Sequence, residues 1–140
     1  MATELIPKFY KKELADGMAA EDLYLMLLTS AHAPNASTQQ FISDVSANEI
    51  VDSAGNYVAG GVQLAGKEGK YHTANAFVDA SDVAIGPGST MTYRYGVVYR
   101  NTGTPASSRI LRQIDFKVDQ IIANGRSTIQ WNQLGIIYYE

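Results

Sequence analysis

The sequence predicts a mainly β fold: a β-sandwich or jelly-roll-like barrel with one or two short helices near its N-terminal end. Two patterns point to it. The second half alternates apolar and polar residues at the strand period, as in Met91–Arg100. Clusters of Gly, Pro and Asn recur along the chain, among 12 glycines in 140 residues, as closely spaced strands require. Nine tyrosines fit the same picture, because the ring suits a pleated, half-buried surface.

Residues Leu5–Met18 read as an amphipathic helix, with Ile6, Phe9, Tyr10, Leu14 and Ala15 near one side. Pro7 suits its first turn and Gly17 its stop. Asp22–Ser30 holds a continuous apolar run, Leu23–Leu28, that reads as a central strand. His32–Thr38 is a loop. Ser37 or Thr38 then caps a short helix over Gln39–Ala47. Asp52–Asn56 is a turn cluster, and Tyr57–Leu64 an extended strand interrupted by Gly60-Gly61, which suggests a bulge or a close backbone approach.

Short strands are expected to begin at Ala76–Val78 and Val83–Ile85, with Gly86-Pro87-Gly88 as a turn. Met91–Arg100 sets Met91, Tyr93, Tyr95, Val97 and Tyr99 on one face. A loop over Asn101–Pro105 leads to Ile110–Val118, which alternates likewise. Asn124-Gly125 reads as a hairpin turn, with Ser127–Trp131 and Gly135–Tyr139 as the last strands. No repeat or linker divides the chain, so residues 1–140 read as one β-sandwich domain with residues 1–20 as a helical arm.

The formal charge of −3 and the lack of a basic stripe argue against nucleic-acid binding, which draws on neutralised phosphates. The longest apolar run is too short to span a bilayer, and the first ten residues lack a signal peptide's pattern, so no membrane partner is expected. Without cysteine there is no disulfide, thiol chemistry or thiolate metal site.

Chemistry-bearing residues are sparse. His32 and His72 are the only histidines, and no Gly-x-Ser-x-Gly elbow surrounds a serine. Asp44, Glu49 and Asp52 lie near one turn and Asp79 and Asp82 near another, a pattern open to calcium but without EF-hand spacing; the plain reading is helix capping and turn formation. Gly55 and Gly60-Gly61 lack the Lys-Ser/Thr of a phosphate loop. A glycosidase-like pair of acids stays open from sequence alone. No catalytic residue, metal ligand or cofactor is assigned, and the chain reads as a non-enzyme.

The tyrosines have two readings. Tyr93, Tyr95 and Tyr99 form one face of a core, or part of that stripe joins Tyr138 and Tyr139 in a subunit interface. Phe9 and Tyr10 on the arm are candidates to dock on a neighbour; otherwise the arm packs on its own domain.

Several segments carry a resemblance. Leu27-Leu28-Thr29-Ser30-Ala31, Phe41-Ile42-Ser43-Asp44-Val45 and Asn48-Glu49-Ile50 are followed by Tyr57-Val58-Ala59-Gly60-Gly61-Val62-x-Leu64. Downstream come Phe77–Val83, Tyr95–Tyr99, Ile114-Asp115-Phe116 and Ile129-Gln130-Trp131 with Gly135-Ile136. From about Leu14 to Ile137 the chain resembles a family of small virion structural proteins of tailed bacteriophages. Asn56 stands where that pattern has glycine. The resemblance implies a virion component without catalytic residues, first a capsid decoration (cement) protein and second a tail, neck or fibre component. The implied partners are the major capsid protein or other virion proteins, and further copies of itself as a dimer or trimer. The implied location is the virion, after synthesis in a host cytoplasm. A carbohydrate- or receptor-binding module, using Trp131 and exposed tyrosines, is the reading from another class.

Overall fold

Strand β1, Leu23–Leu28, is the centre of the larger sheet in a computed structural model that describes residues 5–139. Leu23, Leu25, Met26, Leu27 and Leu28 are all buried, so both faces of the strand are covered. That explains a continuous apolar run where a half-exposed strand would alternate. β1 pairs antiparallel with β2 (Val62–Gln63) on one side and β5 (Val83–Arg100) on the other; β6 (Arg109–Ile129) completes the order β2-β1-β5-β6. Met26 and Leu28 meet Ile42, Val45, Val97 and Tyr99 in a core cluster, with Tyr24, Tyr95 and Ile110 at its margin. On β1's other face Leu25 approaches Gly96, where an added Cβ would lie 3.2 Å from the leucine and 3.3 Å from Phe116.

This sheet belongs to a unit built from Asp22–Leu64 and Asp82–Ile129. The second unit combines the described residues up to Glu21 with Ala65–Ser81 and the segment from Gln130 onward. In it, β3 (Glu68–His72), β4 (Asn75–Asp79) and β7 (Ile137–Tyr139) form an antiparallel sheet of order β3-β4-β7. Helix α1 (Lys8–Ala19) packs on it through the fully buried Ala15. Gly69 on β3 sits so close that a Cβ there would lie 2.3 Å from the Asp16 carboxylate. Lys11 crosses from helix to sheet, its ammonium donating to the Asn75 side-chain oxygen at 2.5 Å and the Ala74 carbonyl at 3.3 Å.

The fold is therefore mainly β with one α-helix near its start, as expected. Both sheets are open, which is compatible with a sandwich-like fold and not with a closed barrel. No helix among the described residues is long and apolar enough to cross a membrane.

Local expectations fared unevenly. The helix begins after Pro7, whose φ of −59° with ψ of 140° is extended, and it runs through Gly17 to Ala19. Residues 1–4 of the expected arm, and residue 140, lie outside the described residues. The second helix shrinks to two 3-10 turns, Ile42–Asp44 and Ser46–Asn48. The Asp44 carboxylate holds the first by accepting from the Gln40 and Phe41 N–H groups, which hold its pKa below the ordinary carboxylate value. The strand expected over Tyr57–Leu64 is mostly turn, because Gly60 and Gly61 take φ near +100° and leave only Val62–Gln63 to pair.

Two expected turns do not reverse the chain. Gly86-Pro87-Gly88 lies inside β5 and Asn124-Gly125 inside β6, so these strands span 18 and 21 residues as one long hairpin closed by the Asn101–Ser108 loop. The two sites face each other. A Cβ on Gly86 would lie 2.5 Å from the Gly125 carbonyl oxygen. Each positive-φ position is spent on a bulge in a continuing strand, and between Ile85 and Ser89 the register steps unevenly against Ser127 and Gly125.

Candidate functional site

Positioned aromatic side chains are where surface-contact chemistry would sit, and the structure sorts the candidates. Tyr93 and Tyr99 are inside the fold, at 3% and 4% exposure. Tyr93 shares a 2.7 Å hydrogen bond with the Ser127 hydroxyl and sets its ring edge-on to Phe116. Tyr99 donates to the Gly60 carbonyl. Neither ring lies on an open face, and Tyr99 reaches the surface only as part of a cleft lining. Tyr95 is half-buried, with His32 edge-on to it at 5.3 Å and the Arg94 guanidinium at 5.5 Å. The strand alternation was readable, but β6 makes five steps from Asp115 to Gln120 while β5 makes two from Tyr95 to Tyr93. That irregularity separates the surroundings of the two tyrosines.

In the smaller unit Tyr138 and Tyr139 are half-buried on β7; Tyr138 accepts a hydrogen bond from the Asn75 amide at 2.7 Å. Phe9 and Tyr10 on α1 are open, Phe9 at 66% exposure. Phe9 meets Tyr71 edge-on at 6.4 Å, and Lys8 lies 5.4 Å from both ring centres. Leu5 and Ile6 are exposed beside them in sequence. This aromatic face, edged by lysine, has no cover among the described residues. Trp131 is half-buried, with its indole N–H donating to the Ser81 carbonyl.

Asp44, Glu49, Asp52 and Asp79, seen as possible metal ligands, are engaged otherwise. Asp52 oxygens accept from the N–H groups of Ala54, Thr90, Asn56 and Tyr57 at 3.0–3.1 Å. Asp79 pairs with Lys70 at 3.0 Å, raising the lysine's pKa. Among the described residues no group of three or more His, Asp or Glu is placed to hold a metal ion. His32 is buried and shares a 2.8 Å hydrogen bond with Gln113; His72 is exposed near Tyr138.

Sequence reasoning missed a network around Glu49. Its Oε2 accepts from the Tyr57 hydroxyl at 2.7 Å and from the Gly60 N–H at 2.9 Å. The Tyr57 oxygen in turn accepts the buried Leu27 N–H at 2.9 Å. Tyr99 clamps the other side of the Gly60 peptide. Burial first, and then the Glu49 charge, push Tyr57 above the tyrosine range and Tyr99 up to about 12. Both phenols therefore stay protonated at neutral pH and serve as donors. No spacing rule could find this network, because its members lie 8 to 39 residues apart and meet only across a turn and a strand. Tyr57→Phe is expected to cost about 1–3 kcal/mol, since it leaves the Leu27 N–H without its acceptor in a buried strand. Urea unfolding of both proteins checks it; equal midpoints would show that water replaces the hydroxyl.

The network borders a cleft of about 320 Å³ lined by Met26, Ile42, Glu49, Gly60, Tyr99 and Asn101, among others. Its floor is apolar and buried, and among the described residues Glu49 is the one charged residue in its lining. A second cleft, of about 480 Å³, lies between Pro34–Gln39 and the Ile110–Gln113 stretch of β6.

With this geometry described, comparison with known proteins adds no relative. No protein-family model, curated protein or solved structure matches the chain.

The arrangement can do two things. The α1 face offers aromatic and cationic contact to a partner, and the cleft offers one anchored carboxylate above an apolar floor. Sequence reasoning named Phe9 and Tyr10. Tyr71 could have been found from its place in a polar stretch, where an exposed aromatic is the odd residue.

Proposed function

We propose that this chain is a non-enzymatic structural protein of a tailed bacteriophage particle, a capsid decoration protein that binds the outer shell through surface contacts. The observation that carries it is the exposed ring pair of Phe9 and Tyr71 with Lys8 at its edge, and Tyr10 exposed on the same helix. A contiguous exposed apolar patch on a small protein marks a place of contact. Aromatic side chains are the ones that anchor interfaces, and lysine at the rim favours an acidic partner surface. The sequence resemblance supplies the setting. Many copies on a symmetric shell gain avidity from individually modest contacts.

The test mixes purified protein with expanded, DNA-free capsids and separately with tails of the same phage, then sediments the particles. Binding to capsids is expected, and Phe9→Ser with Tyr71→Ser should weaken it by about tenfold or more without changing the melting temperature. Binding to tails alone would replace decoration by a tail role. Binding to neither particle would refute the reading.

A further inference from the structure

We infer that the Glu49 cleft is a receptor for a single basic side chain, lysine or arginine, presented by a partner protein. Three features of the cleft lead there. Its floor is Met26, Ile42 and Tyr99, each buried at 3–4% exposure, which suits an aliphatic stem. Among the described residues its lining carries one charge, a carboxylate, and no lysine or arginine. That carboxylate is held before any partner arrives: Oε2 is fixed by Tyr57 and Gly60, whose peptide is held from its other side by Tyr99, while Oε1 is engaged by none of the described residues. A fixed acceptor on an apolar wall loses little freedom on binding, which is the condition for a useful contact from one charged group.

A structural role alone would need only Oε2, which secures the turn at Gly60. The cleft beside it, with polar contributions from Asn101 and Ser108, exceeds what turn formation requires. An anionic or neutral occupant is disfavoured: the first is repelled by Glu49, and the second leaves the carboxylate partly stripped of water without compensation. That the side chain belongs to a virion protein rests on the function proposed above. The preference for a cation does not.

The probe is n-propylguanidinium, the arginine head with a short stem, set against N-propylurea, its neutral isostere. Both are titrated into the full chain and followed by amide chemical shifts. Millimolar binding of the cation is expected, on the order of 1–10 mM, with N-propylurea at least about tenfold weaker. Shifts should centre on Gly60, Asn101 and Gly103. Glu49→Gln keeps an acceptor for Tyr57 and Gly60, so it should fold and lose the preference for the cation. Equal affinities for the two probes in the unmodified protein would overturn the inference with no variant needed. So would shifts confined to other surfaces, or an unchanged preference in E49Q. A protein that takes the cation but binds neither capsids nor tails keeps this site and loses the virion reading; the converse sinks only the site.

Discussion

Gly61→Ala is expected to destabilise the larger unit by about 3–4 kcal/mol, a large share of the roughly 5–15 kcal/mol that holds a small domain together. Two costs add. At φ +101° an alanine is in a region that costs of order 1–3 kcal/mol. Its Cβ would also stand 2.2 Å from the Leu25 carbonyl oxygen and 2.8 Å from its carbon, so the β1 backbone itself must move. Gly60→Ala provides the internal comparison. Its φ is +100°, but the nearest atom to its Cβ would be the Tyr99 hydroxyl at 3.8 Å. It therefore carries the conformational cost of about 1–2 kcal/mol and no clash. Chemical unfolding of the pair checks this. Equal losses would mean that backbone strain decides and the approach to Leu25 does not.

Asp52→Asn is the second large effect, with a melting temperature lower by about 5–10 °C at pH 7. The aspartate accepts four backbone N–H bonds, two on each oxygen, from its own turn and from Thr90 on β5. Asparagine turns one of those oxygens into a donor facing N–H groups. Burial by itself would raise the Asp52 pKa; the N–H groups of Thr90, Ala54 and Tyr57 outweigh it and bring it down from 3.8 to about 2. The sign follows. A carboxyl lowered on folding contributes stability fully above its unfolded value and loses it as pH falls toward the folded one. The gap between the two proteins should be constant above about pH 5 and close between pH 4 and 2. A gap that persists unchanged at pH 2 would show that the charge is not what holds the turn.

What could be read from the sequence follows a physical line. The β1 run was legible because burial on both faces needs no partner to be recognised, only apolar residues in a row between turn signals. The long hairpin was not. Gly86-Pro87-Gly88 and Asn124-Gly125 supply positive φ, and a positive φ serves a bulge as well as a reversal. Which one occurs depends on the facing strand, and here each site faces the other. The Gly60-Gly61 pair did signal a close backbone approach, and Leu25 is the backbone approached. For the site, Phe9 and Tyr10 were legible as apolar residues on a charged helix. The burial of Tyr93 and Tyr99 was not, since alternation assigns a face without saying what covers it. Glu49 was seen as a turn acid or a possible calcium ligand and not as the centre of a network, because its partners come from distant stretches of chain.

The unequal steps along β5 and β6 have a consequence for which pairings are open to the hairpin. In a uniform ladder a slip by two residues preserves the inside–outside pattern and is opposed only weakly. Here β5 takes four steps from Ile85 to Ser89 where β6 takes two, and β6 takes five where β5 takes two farther along. A slip of either strand would set the uneven steps of β5 against the wrong steps of β6. The ribbon is thus keyed like a lock with wards cut at different depths on its two sides. It admits one alignment of the hairpin's own two strands.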